Sequence, residues 1–506
     1  MGCGINKSRH HYVHKNSTKI KQVEDHRQVP PNFESEGDPK ISQNQLVLRR
    51  ISKITNNYTL GVKIGGGSYG DVRVANHLLT GQKRVIKSIK KIKIHSEQEQ
   101  IKFTNEVEIL QTLDHPNIIK LFEFYDDDNN FYLVTEYLAG GELFDYMARK
   151  QYLTEPIAAH FLKQILSALA YIHSKGIIHG DLKPQNLVLD KESDDAIVKI
   201  IDFNTSIRIN SAQPHLLDTS LMYTSPEILK NSKFDEKSDM WSLGVILFIF
   251  LSGTEPFNGD SEEEIRDLIF SGNYKFNGPH WDNISNECIK LIKDLMNPSP
   301  SKRISASKAL KNPWIKKFAN RRTSLELNSL SLSHLRSFVT GQKIQYVFLS
   351  FIANHLLSND ESTQLYQRFK SLDKNCDGKL NQDELVDAYS SIMKKQEAVD
   401  EARNIMKMVD VDNSGFIDYA EFLTACARRK TLLCRKNLEN AFKAFDIDEN
   451  GTISKEEILQ ILGKMGPDDE TVNKLIEHMD TNNDGLIDLN EFKRAMNKCF
   501  NSKSPS

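Results

Sequence analysis

The chain has 506 residues, of which 39% are hydrophobic, and its formal net charge at pH 7 is −2. This length predicts about three domains with ordinary soluble cores, and the near-neutral charge gives no indication of a nucleic-acid partner. Six cysteines without any Cys-x-x-Cys pair favour a reducing compartment over a disulfide framework. The longest apolar run, Leu243 to Leu251, is shorter than the roughly 20 residues of a membrane span and predicts a buried helix. We therefore expect a cytoplasmic protein.

Residues 1–57 lack hydrophobic periodicity, which predicts a largely disordered segment. The chain opens with Met1-Gly2-Cys3, so that Gly2 is an acceptor for myristoylation and Cys3 for palmitoylation. The basic residues that follow would favour an anionic membrane surface. Asn6 stands where the myristoylation motif has Ser or Thr, and a Met-Gly start also arises by chance. Both an acylated membrane anchor and an unmodified tail therefore stay open.

From Tyr58 the pattern changes to short β-branched runs, which one helical stretch from about Glu97 to Leu113 interrupts. This pattern predicts a small antiparallel sheet with one helix. After Gly140-Gly141 the apolar spacing is mainly helical until Pro313-Trp314. Residues 58–315 are therefore predicted to form a two-lobed α+β domain.

A glycine-rich turn is predicted between the first two strands, with the spacing Gly-x-Gly-x-x-Gly-x-Val from Gly65 to Val72. Glycines at these positions let the backbone approach nucleotide phosphates closely, although a plain glycine-rich hairpin has the same pattern. Lys87 follows on a strand, at the spacing of a lysine that holds the α- and β-phosphates. Glu106, on the next helix, is expected to pair with that lysine.

The segment from His179 to Asn186 and the triplet Asp202-Phe203-Asn204 carry the groups that phosphoryl transfer needs. Asp181 supplies a base for the attacking hydroxyl and Lys183 a cation near the γ-phosphate, while Asn186 and Asp202 supply magnesium ligands. This ordered set resembles the signature of protein kinases over residues 58–315.

The kinase resemblance implies an ATP pocket with Thr135 as gatekeeper, a hinge from Glu136 to Leu138, and Glu142 as an acid near the ribose and a substrate arginine. It also implies that Arg303 pairs with Glu227 and that Asp239 braces the catalytic loop. The implied pocket residues are Ile64, Gly65, Gly67, Gly70, Val72, Val85, Lys87, Glu106, Thr135, Glu136, Leu138 and Glu142.

Among several departures from the kinase pattern, two bear most directly on activity. Gly180 replaces the arginine that usually grips an activation-segment phosphate, so we expect activation without phosphorylation of Ser206, Ser211 or Thr219. Asn204 replaces a glycine, and Asn is the best substitute where φ is positive. Because of these changes a catalytically weak or dead scaffold, a pseudokinase, remains the alternative to an active kinase.

Four twelve-residue loops in the last third have the ligand spacing of a calcium site, namely 373–384, 410–421, 446–457 and 480–491. Each begins with Asp, has Gly at the sixth position and ends with Glu, which supplies the oxygens and the sharp turn that Ca²⁺ needs. The seventh residue of each loop contributes its backbone carbonyl. The predicted ligands are Asp373, Asn375, Asp377, Lys379 and Glu384; Asp410, Asp412, Ser414, Phe416 and Glu421; Asp446, Asp448, Asn450, Thr452 and Glu457; and Asp480, Asn482, Asp484, Leu486 and Glu491.

A linker followed by an amphipathic helix, from Lys343 to Leu356, connects the two halves within residues 316–357. The helix carries one apolar face, which suits the groove that calcium-loaded loop pairs open. An ordinary core helix is the alternative reading. The apolar face comprises Ile344, Val347, Phe348, Phe351 and Ile352.

Order and spacing together resemble the calcium-dependent protein kinases, in which a kinase domain, an autoinhibitory junction and a calmodulin-like domain share one chain. The resemblance implies ATP, Mg²⁺ and Ca²⁺ as cofactors. It implies that residues 316–357 block the substrate cleft until Ca²⁺ binds the all-α domain at residues 358–500, with a tail at 501–506. No separate calmodulin would be needed.

Protein substrates are expected to carry basic residues before the Ser or Thr. Arg321-Arg322-Thr323-Ser324 has this form itself, which makes it a pseudosubstrate, an autophosphorylation site at Ser324 or a plain basic linker. A calcium buffer with an incidental kinase fold is the third reading of the chain, and it predicts no effect of calcium on activity.

Overall fold

The structure of the protein is a computed structural model that describes residues 47–50, 52–66, 70–94, 97–209, 220–230, 235–319, 332, 335, 343–462 and 469–498. Within these ranges no helix is long and apolar enough to cross a membrane. Predictions made for Gly2, Cys3, Gly67, Ser211, Thr219 and the 321–324 motif concern positions outside the described residues.

The upper lobe is built on one six-stranded sheet. Its strands are β1 (Leu48–Arg50), β2 (Tyr58–Gly66), β3 (Asp71–His77), β4 (Lys83–Lys90), β5 (Leu121–Asp126) and β6 (Asn130–Glu136), and helix α1 is Glu97–Gln111. The spatial order is β1-β5-β6-β4-β3-β2, and all pairs except β1 with β5 are antiparallel. The predicted sheet with a single helix is confirmed.

Strand β1 lies inside the segment that the sequence predicts to be largely disordered, so this prediction is wrong for the end of the segment. Val47 and Leu48 are buried, and Arg50 forms an ion pair with the buried Glu123 at 3.7 Å. A short 3-10 turn, Ile54–Asn56, follows. Burial of these side chains and pairing along β5 offset the entropy lost on ordering so short a strand.

The lower lobe is mainly helical, and most residues of two of its helices, Glu155–Ser174 and Lys237–Ser252, are buried. Its helices are α2 (Leu143–Lys150), α3 (Glu155–Ser174), α4 (Pro226–Leu229), α5 (Lys237–Ser252), α6 (Glu262–Ser271), α7 (Asn286–Leu295), α8 (Ala306–Ala309) and α9 (Pro313–Ala319). Five short strands, β7 (Gly141–Glu142), β8 (Ile177–Ile178), β9 (Leu187–Leu189), β10 (Val198–Ile200) and β11 (Ile207–Arg208), form small sheets beside α3. The apolar run at 243–251 is the buried core helix α5, as predicted.

The remaining described helices form what we call the four-loop domain (residues 343–498), separate in sequence from the two-lobed domain (residues 47–319). They are α10 (Lys343–His355), α11 (Asn359–Leu372), α12 (Gln382–Tyr389), α13 (Lys395–Val409), α14 (Tyr419–Cys426), α15 (Arg429–Leu432), α16 (Arg435–Phe445), α17 (Lys455–Leu462), α18 (Asp469–Met479) and α19 (Leu489–Lys498). Strands β12 (Thr452–Ile453) and β13 (Ile487–Asp488) pair the third and fourth loops, and a bridge from Leu380 to Ile417 pairs the first two.

The two domains contact each other through the segment between α1 and β5. Asp114 Oδ2 accepts the backbone N–H of Ala420 at 2.6 Å, at the start of α14. Asn117 Nδ2 donates to the hydroxyl of Tyr366 at 3.3 Å. The ring of His115 lies so close to Gly378 that a Cβ on that glycine would be 2.1 Å from His115 Cδ2. This segment therefore contacts both calcium loops of the first pair.

Candidate active site and calcium loops

Lys87 is the centre of an ion-pair cluster in the cleft between the lobes. Its Nζ lies 3.0 Å from both carboxylate oxygens of Glu106 and 2.9 Å from Oδ1 of Asp202. Burial alone would lower the pKa of Lys87, but the two carboxylates outweigh burial and raise it. Burial raises the pKa of Glu106 against the opposing effect of Lys87. The predicted lysine–glutamate pair is present, and Lys87 remains charged at neutral pH.

The catalytic loop brings Asp181, Lys183 and Asn186 together. Oδ2 of Asp181 accepts from Lys183 Nζ at 2.6 Å and from Asn186 Nδ2 at 3.2 Å. Asn186 Nδ2 also donates to the Asp181 carbonyl at 2.8 Å. The amide Oδ1 of Asn186 and the carboxylate of Asp202 are oxygen ligands of the kind that Mg²⁺ prefers, so the residues fit a magnesium site.

Asp239 supports the catalytic loop through hydrogen bonds. Its carboxylate accepts the N–H groups of His179 and Gly180 at 2.9 and 3.0 Å and contacts His173 Nε2 at 2.8 Å. Although burial opposes ionisation, these partners lower the pKa of Asp239. The second predicted support, Arg303 with Glu227, is a buried two-bond ion pair at 2.7 and 3.0 Å.

Strand register brings several of the predicted ATP-pocket residues next to one another. Val72 is opposite Gly65 and Lys87, while Val85 is opposite Thr135. Gly70 admits no side chain, because a Cβ there would be 1.7 Å from the Ser88 carbonyl oxygen. Ile64 is exposed, and Leu138 packs on the main core.

Two acidic pocket residues have different surroundings. The Glu136 carboxylate forms an ion pair with Lys199 at 2.7 Å and accepts the backbone N–H of Lys120 at 2.8 Å. Its charge is therefore already paired within the protein. Glu142 is exposed, and partial burial and the neighbouring Asp145 raise its pKa. Glu142 and Asp145 therefore present an acidic surface suited to a cationic group.

The structure corrects the explanation given for Asn204. Within the Asp-Phe-Asn triplet the positive φ, 65°, is at Asp202, and Asn204 is not among the residues with positive φ. Asn204 is therefore tolerated because its backbone needs no left-handed conformation.

Each calcium loop folds its backbone around two carboxylates. The sixth-position glycine N–H donates to the first-position aspartate at 2.8–3.0 Å. The ninth-position N–H donates to the twelfth-position glutamate at 2.8–3.0 Å. The four glycines have φ between 80° and 87°, which only glycine adopts without a steric penalty. The carboxylates at the first and twelfth positions are buried. The predicted ligands at the third, fifth and seventh positions are exposed or half-buried.

The loops have the chemistry that Ca²⁺ requires. In loops two and three, oxygens of the first-, third- and twelfth-position carboxylates lie within 4.8 Å of one another. Oδ1 of Asp446 is buried without a hydrogen-bond partner. Burial, followed by the nearby Asp377 and Glu384, raises the pKa of Asp373 to about 8. A bound cation would stabilise carboxylates crowded in this way, so these residues fit Ca²⁺.

The junction helix α10 lies inside the four-loop domain. Of its predicted apolar face, Val347, Phe348, Phe351 and Ile352 are buried, whereas the Ile344 side chain is outside the described residues. Helix α10 contacts α14, α15 and α16. The helix therefore both fills a groove between the loop pairs and acts as a core helix of this domain.

Sequence reasoning missed the contacts between the domains. Arg84, on β4, donates to the His355 carbonyl at 3.0 Å, and the rings of Phe122 and His355 are 5.1 Å apart. No local motif marks such residues, because each pairs with a partner more than 200 positions away. The short β1 strand was also missed, and its pairing partner β5 is distant in sequence as well.

Comparison with known proteins agrees with this geometry. The chain matches the protein kinase domain over residues 58–315 and the EF-hand domain pair over residues 362–427 and 435–497. It is 37% identical over 473 residues to calcium-dependent protein kinase 4 of Plasmodium falciparum, covering 90% of this chain and 89% of that protein. It is 36% identical to calcium-dependent protein kinase 5 of the same organism, covering 89% and 80%, and 32% identical to calcium-dependent protein kinase 9 of Arabidopsis thaliana, covering 93% and 88%. The chain therefore belongs to the calcium-dependent protein kinases.

Proposed function

We infer that this protein is a calcium-activated Ser/Thr kinase that transfers the γ-phosphate of ATP to protein hydroxyls. The main observation behind this inference is that Lys87 donates hydrogen bonds to the carboxylates of both Glu106 and Asp202. A lysine held between two carboxylates is pre-positioned for nucleotide phosphates, which is most of what catalysis of phosphoryl transfer demands.

Each residue of the cluster has a distinct task in this proposal. Asp181 accepts the proton of the substrate hydroxyl, and Lys183, 2.6 Å from it, stabilises charge near the transferred group. Lys87 orients the α- and β-phosphates. Asn186 and Asp202 would hold Mg²⁺, which supplies charge neutralisation on the phosphate oxygens.

The pseudokinase alternative receives no support from the described residues. Its basis was Gly180 and Asn204, yet Gly180 donates its N–H to Asp239 and Asn204 needs no strained backbone. No side chain that transfer requires is missing from the cluster formed by Lys87, Glu106, Asp181, Lys183, Asn186 and Asp202.

For regulation, we propose that residues 316–357 block the substrate cleft at low calcium and that Ca²⁺ binding draws α10 into the four-loop domain. The buried position of α10 supports this as the activated arrangement. Because sensor and kinase share one chain, no added calmodulin is required.

For substrates and location, the acidic pair Glu142 and Asp145 supports a preference for basic residues before the target Ser or Thr. We also propose a cytoplasmic protein that attaches to membranes through myristoylated Gly2 and palmitoylated Cys3. Labelled myristate should be incorporated into the wild-type protein and not into a Gly2→Ala variant.

The test of the kinase proposal is phosphate transfer to an Arg-x-x-Ser peptide, with Mg²⁺ and ATP, in excess calcium and in chelator. We expect activity only with calcium, and a loss of at least about 100-fold in an Asp181→Asn variant, since general-base catalysis contributes about 10²–10⁴-fold. Calcium binding by that variant should be unchanged. Equal activity in calcium and chelator would remove the switch, and no activity in either condition would favour the scaffold.

A further inference from the structure

Every Arg-Arg pair in this chain is followed two residues later by Ser or Thr. The three pairs are Arg49-Arg50 before Ser52, Arg321-Arg322 before Ser324, and Arg428-Arg429 before Thr431. This is the form of substrate that the proposed function assigns to the kinase. Of the three, Ser52 has the most informative surroundings, because the residues before it are strand β1.

Strand β1 holds the Ser52 motif in a paired conformation. Leu48, Arg49 and Arg50 are in parallel register with residues 123–125 of β5. The Arg50 guanidinium, at 13% side-chain exposure, pairs with Glu123, whereas Arg49 is 65% exposed and pairs with Asp126 at 3.9 Å. The second arginine of the motif is therefore unavailable to any other acidic group while β1 is paired.

The four-loop domain covers the same strand. Leu48, only 2% exposed, belongs to the apolar core of that domain, and helix α17 contacts β1. Strand β1 thus lies between the upper lobe and the third calcium-loop unit. Its release requires both the loss of the Arg50–Glu123 pair and separation from the four-loop domain.

We propose that Ser52, which is half-buried, is a phosphorylation site for an arginine-directed Ser/Thr kinase, this enzyme itself included, and that docking of β1 keeps its motif from entering a kinase cleft. The inclusion of the enzyme itself rests on the function proposed above. A kinase cleft takes its substrate as a free extended segment, so β1 must leave β5 before Arg50 and Ser52 can enter a second molecule's cleft.

The transfer step balances with ATP as the only co-reactant. The Ser52 Oγ forms a bond to the γ-phosphorus, the bond from that phosphorus to the bridging oxygen of ADP breaks, and the hydroxyl proton passes to the Asp181 carboxylate of the second molecule. The product carries about two negative charges next to Arg49 and Arg50. The phosphate then competes with Glu123 and Asp126 for the arginines and keeps β1 from pairing again.

The test uses the full-length chain with Asp181→Asn as acceptor and a small amount of wild-type protein as enzyme, in calcium with Mg²⁺ and ATP. Mass spectrometry follows Ser52. The reference acceptor is a peptide of residues 45–57 at equal concentration, in which nothing conceals the motif. We expect the peptide to be phosphorylated at least about tenfold faster than Ser52 in the chain, because access requires local opening.

Two further acceptors separate concealment from sequence preference. Glu123→Gln removes the partner of Arg50 without altering the motif and should raise the Ser52 rate several-fold. The matched control Asp126→Asn removes the partner of the exposed Arg49 and should leave the rate nearly unchanged. Equal rates in peptide and chain, or no effect of Glu123→Gln, would overturn the concealment.

A generic Arg-x-x-Ser peptide run in parallel keeps the two proposals apart. If it is phosphorylated and the 45–57 peptide is not, Ser52 is not a site and the kinase function stands. If the generic peptide is not phosphorylated in calcium, the proposed function itself fails. An unrelated arginine-directed kinase then tests the Ser52 site with the same four acceptors.

Discussion

At Gly180 the backbone conformation itself excludes the arginine of the usual kinase loop. Its φ is 83°, and a Cβ there would be 3.0 Å from the Thr205 carbonyl oxygen. Ser206 is 1% exposed and donates to the His179 carbonyl, so it offers no accessible hydroxyl for phosphorylation. Both findings support activation without phosphorylation of Ser206, whereas Ser211 and Thr219 lie outside the described residues.

His160, on α3, couples stability to pH. Burial and the nearby Lys370 lower its pKa from 6.5 to about 4, while Asp195 and the Ala196 carbonyl oppose that shift. Between pH 6.5 and about pH 4, His160 binds a proton in the unfolded chain and not in the folded chain. The free energy of unfolding therefore has its full contribution from this group above pH 6.5 and decreases as the pH falls below that value. From pH 7.5 to 5 the loss from this group is about 2 kcal/mol.

A His160→Gln variant checks this expectation. The free energy of unfolding is measured in denaturant at pH 7.5 and at pH 5 for both proteins. The wild type should lose about 2 kcal/mol more than the variant between the two pH values. If the free energy of unfolding of the two proteins depended on pH in the same way, folding would not lower the pKa of His160.

Residues whose partners belong to the same recognisable motif could be predicted from the sequence. Lys87 and Glu106 form the expected pair because their order and spacing already imply a shared cleft. The contact of Lys87 with Asp202 was not predicted. Asp114 and His115 could not be predicted, since their partners lie in another domain and their own neighbours form no motif. The prediction of a positive φ at Asn204 was wrong. The sequence indicates which residues tolerate a positive φ, but it does not indicate where the backbone requires one.

At the scale of elements, the junction helix stabilises the domain that encloses it. The Phe348 ring is 1% exposed and packs edge-on against Phe445 and Phe492, with centroids 4.7 and 5.0 Å apart. Truncating a buried phenylalanine costs about 3–5 kcal/mol. The enclosed arrangement of α10 therefore depends strongly on this one side chain.

We expect Phe348→Ala to raise the calcium concentration for half-maximal activity at least about tenfold, because 3 kcal/mol exceeds the 1.4 kcal/mol of a tenfold change. The control is Ile392→Ala, which truncates a half-exposed side chain in the same domain and should change the midpoint little. Peptide phosphorylation is measured against free calcium for each variant. Equal midpoints in the two variants would mean that α10 burial does not drive activation.

Long, strongly periodic elements were predictable and short ones were not. Helices α1 and α10 begin at the predicted residues and end within two residues of the predicted ends. A three-residue strand such as β1 has too few positions for a period of two to be detected. Its order comes from β5 and α17, which are distant in sequence.

At the scale of the whole molecule, the kinase contacts its own calcium loops directly. Gly378 and Gly415 occupy the same loop position with nearly the same φ, 80° and 83°. A Cβ at Gly378 would overlap the His115 ring, whereas nothing lies within 4 Å of a Cβ at Gly415. The two glycines therefore differ only in whether the two-lobed domain is beside them.

Substituting each glycine by alanine isolates that contact. Both changes strain a loop by about 1–2 kcal/mol, and only Gly378→Ala adds an overlap worth about 1–3 kcal/mol. We expect the calcium midpoint to rise at least about fivefold more for Gly378→Ala than for Gly415→Ala. His115→Ala should reverse the excess in the first variant and have no such effect in the second. Additive effects of Gly378→Ala and His115→Ala would show that the contact does not couple the domains.

Helix α1 has a consequence for inhibitors of this enzyme. It carries Glu106 to the ATP site and ends at Gln111, three residues before Asp114, which bonds the second calcium unit. A compound that displaces this helix also moves the anchor of the sensor, and linkage is reciprocal. Drugs of different binding modes should therefore shift calcium affinity in opposite directions, so the potency of each would depend on the calcium level at which it is assayed.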